Sequence, residues 1–176
     1  PNACGRKTSI SPLFPVMGRH RLSPLKNRPI RLCQMSPLAD AAHFTLDPQL
    51  AADTLAVGLR DNIEIRLMND ARYWWLVLVP HFPNAVEWHD LPATEASALH
   101  ELALTTAQHM QQLASADKMN IAALGNMVRQ LHVHVIARHI GDGAWPGAVW
   151  GVGAAQAYLE AEAATRLAAL RAALAC

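Results

Sequence analysis

The 176-residue sequence lacks the features that mark several specialised classes of protein. No run of eighteen apolar residues occurs, so nothing in it is expected to span a bilayer. The three cysteines, Cys4, Cys33 and Cys176, lie near the two ends and form no CxxC pair or other zinc-binding spacing. A disulfide framework is therefore not indicated, which fits a reducing compartment. We expect a cytoplasmic protein.

Acidic residues are missing from the first 35 positions, which carry seven Lys or Arg and five Pro. The remainder holds 8 basic and 14 acidic residues, a balance of −6. A self-repelling segment without apolar periodicity predicts disorder, so we interpret residues 1–35 as a basic, proline-rich extension. It is interpreted as sequence upstream of a translation start at Met35. An organellar transit peptide and a nucleic-acid-binding tail stay open as alternatives.

Periodicity in the next part of the chain predicts a helix and a hairpin. Asp47 followed by Pro48 is typical of a helix start, and Gly58 is expected to end that helix. The stretch NIEIRLM (62–68) alternates like a half-buried strand whose isoleucines and leucine point inward. After a turn at residues 69–72, YWWLVLVP (73–80) predicts a second, nearly all-apolar strand.

The rest of the chain predicts a long helix, two strands and a final helix. The long helix carries an apolar stripe from Leu99 to Leu113, and the final helix, from Ala155 on, is expected to contain a Glu162–Arg166 pair. Adjacent strands separated by helices predict an α+β fold, an antiparallel sheet with helices packed on it. We therefore expect a catalytic domain at 36–152 and a packed amphipathic helix at 153–176.

The segment RQLHVHVIAR (129–138) carries the main functional signal. If it is one strand, Leu131 and the two valines lie on one face, while Gln130, His132 and His134 line the other about 7 Å apart. Three interpretations of that row are open from the residues alone. It is a solvated, histidine-rich sheet face, a metal site that needs a third ligand such as His81, His89 or His139, or a nucleophilic site.

The surrounding sequence resembles the histidine triad superfamily over roughly residues 44–152. The family motif, His-φ-His-φ-His-φ-φ with φ apolar, follows a Gly-Gln or Gly-Asn turn, and LGNMVRQLHVHVIAR (124–138) resembles it, with Gln130 in place of the first histidine. The stretch LMNDARYWWLVLVPHFPNAVEWHDL (67–91) resembles the nucleotide-cradling hairpin of the family. The segment AWPGAVWG (144–151) is similar to a tail of bacterial dinucleoside polyphosphate hydrolases. The resemblance thus implies an antiparallel α+β fold that holds a nucleotide.

Site residues follow from that resemblance, position by position. His132 matches the middle histidine, the nucleophile, while Gln130 and His134 match the first and third. The nucleotide-binding positions implied are Asn69 for the ribose, and Asn120, Gly125 and Asn126 near the phosphates.

Three positions depart from the family pattern. Gln130 makes the motif Q-x-H-x-H, and an amide cannot exchange a proton at neutral pH. Trp75 occupies the position of a further histidine that orients the cluster in many members. Met127 stands where some members have Ser or Thr, which makes phosphoramidase-type chemistry less well supported.

The resemblance implies a hydrolase that cleaves a dinucleoside polyphosphate or related nucleotide at its α-phosphate, through a nucleotidyl-histidine. No cofactor is implied beyond a divalent metal such as Mg²⁺ on the substrate phosphates. Ile65, Leu67 and an aromatic residue among 73–75 are expected to sandwich the base, with His134 as the only ionisable neighbour able to protonate the leaving group. A homodimer is the expected assembly, with neither nucleic acid nor a membrane as a partner. A nucleotide-binding protein without catalysis and a histidine-ligated metal site are the alternatives.

Overall fold

The computed structural model describes residues 44–175, and these contain three helices, a short 3₁₀ helix and five strands. The predicted extension at residues 1–35 and the three cysteines lie outside this range. Within it, no helix is both long enough and apolar enough to cross a membrane. The elements are α1 (Pro48–Asp53), β1 (Thr54–Arg60), β2 (Ile63–Met68), β3 (Trp74–Pro80), the 3₁₀ helix (Trp88–Asp90), α2 (Ala93–Ala114), β4 (Lys118–Ala122), β5 (Val133–Arg138) and α3 (Glu160–Leu174).

The five strands form one antiparallel sheet in the order β1-β2-β3-β5-β4. The predicted hairpin is the β2–β3 pair, in which Ile65 lies opposite Leu78. The predicted α+β fold class is confirmed. The crossover from β3 to β4 contains α2, and it leaves β5 between β3 and β4, so the strand that follows the Gly-Asn loop is central.

The first helix is shorter than predicted, and β1 was not predicted at all. Asp47 does cap α1, since its carboxylate accepts a hydrogen bond from the backbone N–H of Gln49 at 2.8 Å. The helix ends at Asp53 rather than Gly58, because Thr54 is extended and begins the ladder with β2. Gly58 instead adjoins a β-bulge in β1. Pairing with β2 decides the conformation here, and that partner is not local in sequence.

Helices α2 and α3 cover one face of the sheet. The predicted stripe of α2 packs there, with Leu99, Leu102 and Met110 buried, whereas Leu113 at its end is 37% exposed. The predicted apolar row of β5 faces the same core, in which Val133 and Val135 have no exposed surface. Fixed on this side, β5 presents its alternate residues to the opposite face.

The final helix differs in detail from its predicted form. It begins at Glu160, and Leu170 and Leu174 are its buried residues. The guanidinium of Arg166 lies over the ring of Trp74, with Cζ 3.6 Å from the centroid, in place of the predicted pairing with Glu162. Arg171 donates hydrogen bonds to backbone carbonyls of β1 and so fixes α3 across the sheet.

The opposite face of the sheet is covered by α1 and by the segment 139–152, which the buried side chain of Arg138 holds in place. Its guanidinium donates to Asp142 at 2.7 and 2.8 Å, to Oδ1 of Asn120 at 2.9 Å and to the carbonyl of Gly147 at 2.9 Å. Hydrogen bonds from Arg138, with backbone N–H donors, lower the pKa of Asp142 to about 2. This buried ion pair therefore joins β5 to the segment that carries Trp150.

Substitution Asp142→Asn removes the charge that compensates buried Arg138. We expect the free energy of unfolding to fall by about 3 kcal/mol, because breaking a buried ion pair leaves an unpaired charge. Denaturant unfolding at pH 7 measures this loss. Asp61→Asn is the control, since its carboxylate is 76% exposed beside Arg60, and it should change stability by less than about 0.5 kcal/mol. Equal losses in the two variants would contradict the assigned role of Arg138.

Candidate functional site

Two imidazoles meet where β5 begins. The strand starts at Val133, so His132 precedes it and His134 is its second residue. Their ring centroids are 4.7 Å apart and the ring planes are nearly perpendicular, at 84°. His132 is 5% exposed and His134 is 3% exposed. The rings thus lie closer together than the spacing predicted from a regular strand.

The orientation of His132 follows from one hydrogen bond. Its Nδ1 lies 2.7 Å from the backbone carbonyl oxygen of Gln130. A carbonyl oxygen only accepts, so Nδ1 carries the proton of the neutral ring. The lone pair is therefore on Nε2, the nitrogen that points away from this carbonyl.

His134 is held by an indole. Nε1–H of Trp75 donates to Nδ1 of His134 at 2.9 Å, and Trp150 packs edge-on against the same imidazole at 5.1 Å between centroids. Burial first, and then the positive charge on His132 when that ring is protonated, lower the pKa of His134 to about 4, although the backbone of Leu124 offsets part of the decrease. His134 is consequently neutral at pH 7, with its proton on Nε2.

Both imidazoles line a cleft of about 490 Å³, a size suited to a small organic ligand. Its walls are mostly apolar, with Trp75 and Trp150 near the imidazoles and Asp53 of α1 at the side. A second cavity of about 310 Å³ shares the two tryptophans and Asp53 with this cleft and reaches Asn69. A larger cleft of about 690 Å³ lies between α3 and the preceding loops and contains neither imidazole.

The loop before His132 passes close to that imidazole. Gly125 and Asn126 line a small cavity of about 160 Å³ together with His132 and Glu87. A Cβ at Gly125 would lie 2.9 Å from the carbonyl oxygen of Val128, which is shorter than any normal contact, and 3.8 Å from Cε1 of His132. The close approach of the loop therefore requires glycine at this position.

Comparison with known proteins shows which family this chain belongs to. Residues 49–141 match the family described as the HIT domain, which is just over half of the chain. The chain belongs to the histidine triad family. No curated protein matches it, whereas solved structures of histidine triad proteins do.

Three of those structures show the degree of similarity. The histidine triad protein of Sinorhizobium meliloti 1021 is 42% identical, with 74% of this chain and 96% of that chain covered and a TM-score of 0.72. The protein of Bradyrhizobium japonicum is 40% identical, with 74% and 98% covered and a TM-score of 0.73. The protein of Marinobacter aquaeolei VT8 is 41% identical, with 75% and 96% covered and a TM-score of 0.74.

Within this histidine triad fold, some of the predicted site residues come together and others do not. His132, His134, Gly125 and Asn126 surround the same end of the cleft, and Asn69 lines the adjoining cavity.

Two other predicted site residues have side chains that are hydrogen-bonded away from the imidazole pair. Gln130 lies before β5, and its side-chain amide bonds to the carbonyl of Thr45 and the N–H of Asp47, both at 2.9 Å. Its side chain therefore fixes the segment before α1 and does not lie in a row with the two imidazoles. Asn120 is likewise occupied, because Arg138 donates to its Oδ1 and Asn120 lines none of the three cavities around the imidazoles.

The apolar residues predicted to sandwich a base are also partly wrong. Ile65 and Leu67 have no exposed surface and belong to the core under the helices. Trp75, one of the aromatic candidates, does line the cleft, and Trp150 faces it as well. In the sequence, the segment around Trp150 is distinguished only by its resemblance to the family; its contact with His134 depends on a turn of the chain anchored by Arg138.

The metal-site alternative finds no support among residues 44–175, where no group of three His, Cys, Asp or Glu side chains is placed to hold an ion. His81 stacks on Phe44 and lies 3.1 Å from a carboxylate oxygen of Glu64, while His139 lies beside Asp117. Neither joins the imidazole pair to complete a ligand set.

The lowered pKa of His134 predicts a stability change with pH. The folded-state pKa of about 4 lies below the ordinary value of 6.5, so on acidification the unfolded chain takes up this proton first. The contribution of neutral His134 to the free energy of unfolding is therefore fully present above about pH 6.5. It is lost as the pH falls towards 4, and the loss amounts to about 3 kcal/mol. Urea unfolding at a series of pH values measures this slope.

His134→Gln should make the dependence of stability on pH shallower in that window, whereas His100→Gln, on the exposed side of α2, should leave it unchanged. A wild-type slope that His134→Gln does not alter would contradict the buried neutral imidazole.

Proposed function

We propose that this histidine triad protein cleaves a nucleotide at its α-phosphorus through a nucleotidyl-histidine intermediate on His132. The observation that supports this most directly is the hydrogen bond from Nδ1 of His132 to the carbonyl of Gln130. It leaves an unprotonated Nε2 on an imidazole that lines a cleft of nucleotide size. A solvated sheet face would require neither the burial nor the fixed tautomer.

The proposed reaction has two displacements at phosphorus. First, the Nε2 lone pair of His132 attacks the α-phosphorus, and the bond from phosphorus to the bridging oxygen breaks, so the leaving group departs with the bonding electrons. The intermediate imidazolium keeps its Nδ1 proton on the Gln130 carbonyl, which accepts more strongly from a charged donor. Water then attacks phosphorus and loses a proton to the solvent, the P–Nε2 bond breaks with its electron pair returning to Nε2, and the nucleoside monophosphate leaves neutral His132 behind.

The loop at Gly125 and Asn126 is proposed to bind the phosphoryl oxygens. It borders His132 directly, and both backbone N–H groups and the Asn126 amide are suitable donors. Aligned donors of this kind contribute about 3–4 kcal/mol each in other enzymes. The base is assigned to the apolar part of the cleft beside Trp150, and the ribose to the adjoining cavity at Asn69.

A dinucleoside polyphosphate is the substrate class we propose, and the charges around the site suggest how it binds. Among residues 44–175, the charged side chains that line the cavities are the carboxylates of Asp53, Asp70 and Glu87 and the guanidinium of Arg72, which is already paired with Asp70 at 2.6 Å. A polyphosphate therefore needs positive charge from elsewhere. We assign that role to Mg²⁺ bound to the substrate phosphates, since Mg²⁺ commonly binds phosphate oxygens together with water.

Replacement of His132 tests the covalent step. With labelled diadenosine tetraphosphate and rapid acid-free quench, the wild-type protein should acquire a labelled adenylyl group, and His132→Asn should not. AMP release should fall by on the order of 10³-fold or more, as for the loss of other nucleophiles. His100→Asn is the control with unchanged labelling, because His100 is exposed on α2.

The alternative is a nucleotide-binding protein without catalysis. AMP binding by calorimetry with neither turnover nor labelled wild-type protein would favour that alternative and contradict the proposal. Equal labelling of wild type and His132→Asn would contradict the assignment of the nucleophile alone.

Removal of divalent metal tests the charge argument. Addition of EDTA should lower kcat/KM for diadenosine tetraphosphate by about tenfold or more, because phosphate charge then faces Asp53 and Glu87 without compensation. Added Mg²⁺ should restore it. Thermal stability of the free protein should not change, and full activity in EDTA would contradict the role of the metal.

A further inference from the structure

We infer that Trp75 is a positioning residue: its indole N–H holds His134 with the proton on Nε2, so that His134 remains a hydrogen-bond donor and does not act as the acid of the reaction. This inference rests on the proposed function for its kinetic consequence. The position of the proton is a property of the resting protein and is tested separately.

The first support is the chemistry of the partner. Nε1 of Trp75 lies 2.9 Å from Nδ1 of His134, and both groups are buried. Indole N–H donates and never accepts, so Nδ1 must be the acceptor. A histidine at position 75 could pass a proton on, whereas an indole has no second site to receive one. The chain of hydrogen bonds therefore ends at Trp75, and no proton reaches His134 through it.

The second support is the environment of the other nitrogen. Nε2 of His134 is buried and makes no well-formed hydrogen bond within residues 44–175, although the backbone of Leu124 lies near enough to favour a proton on this ring. Buried polar atoms of native proteins are almost always paired, so an unpaired donor beside a cleft indicates an acceptor that arrives with a ligand. A phosphoryl oxygen has the right chemistry, since it only accepts.

The groups around His134 favour its neutral form. His132 faces it across the perpendicular rings, and Trp75 and Trp150 enclose it from β3 and from the segment 139–152. Three carboxylates line the cavities of the site: Asp53 is exposed and accepts from Gln49, Asp70 is paired with Arg72, and Glu87 lines only the small cavity beyond His132. None of the three is hydrogen-bonded to His134, and the lowered pKa of this imidazole agrees with that arrangement.

This arrangement determines which leaving groups can depart. When the bond from phosphorus to the leaving atom breaks, no imidazole next to His132 supplies a proton, so the leaving group takes the electron pair as an anion. A nucleoside polyphosphate is a stable anion, and its departure is balanced without proton transfer. An amine leaving group must be protonated as the P–N bond breaks, and the site lacks that donor. We therefore expect a strong preference for phosphoanhydrides over phosphoramidates.

The position of the proton is tested by ¹⁵N NMR of protein with labelled histidine. In the wild type, His134 should show a protonated Nε2 and an unprotonated Nδ1, unchanged from pH 8 to pH 5.5. Trp75→Phe keeps the aromatic ring and removes the donor, so the signals should move towards a mixture of tautomers. Trp150→Phe is the matched control, because it also replaces an indole beside His134 but removes no hydrogen bond to that imidazole. It should retain the Nε2–H form.

A wild-type spectrum with the proton on Nδ1 would overturn the inference, and this measurement does not require either variant to fold.

The kinetic consequence is tested with two substrates that share the adenylyl group. Wild-type kcat/KM for diadenosine tetraphosphate should exceed that for adenosine 5′-phosphoramidate by about 10²-fold or more, the usual contribution of a general acid. Equal or faster turnover of the phosphoramidate, with labelling still at His132, would overturn the inference while the proposed function stands. Absence of turnover and of labelling with both substrates would instead contradict the proposed function, and the NMR result would still decide the role of Trp75.

Discussion

Burial of β5 on both faces is the constraint from which most of the structure follows. Every residue from Val133 to Arg138 is buried. Val133, Val135 and Ala137 meet this condition in the core under α2, and Ile136 meets it among apolar residues of the other face, but His134 and Arg138 on that face need polar partners. Arg138 donates hydrogen bonds to Asp142, Asn120 and a backbone carbonyl, and His134 accepts one from an indole N–H. These partners draw the segment 139–152 over the sheet and so form one wall of the cleft.

The same constraint gives two adjacent imidazoles different properties. His132 precedes the strand and is free to turn its Nδ1 back to the carbonyl of Gln130, which leaves Nε2 available. His134 lies within the strand, opposite Val77 of β3 and next to Trp75, where burial keeps it neutral. A neutral neighbour does not repel the positive charge that develops on a histidine attacking phosphorus. The two rings therefore suit a nucleophile and a fixed donor.

Much of the fold could be predicted because its signals are local. The alternation in β2, the apolar run of β3 and the stripe of α2 each report the burial of their own residues. The predictions fail where a residue distant in sequence determines the local conformation or the contacts of a side chain. Thr54 leaves helical geometry to pair with Met68, and Arg166 lies over Trp74 although Glu162 is one helical turn away. Periodicity puts Gln130 on the imidazole row only if the strand begins before Val133; the amide of Gln130 instead bonds to residues more than eighty positions away in sequence.

The sequence by itself determined that His132 and His134 stand beside a Gly-Asn loop, since a glycine, two imidazoles and alternating valines within fourteen residues leave few other arrangements. It also determined the antiparallel sheet and its helical cover. Only the tertiary structure decided which nitrogen of each ring carries the proton, because that depends on a backbone carbonyl for His132 and on Trp75, fifty-nine positions away, for His134. Periodicity indicates which face of the sheet a side chain lies on, whereas the tautomer of a buried imidazole depends on the atom to which its ring nitrogen is hydrogen-bonded.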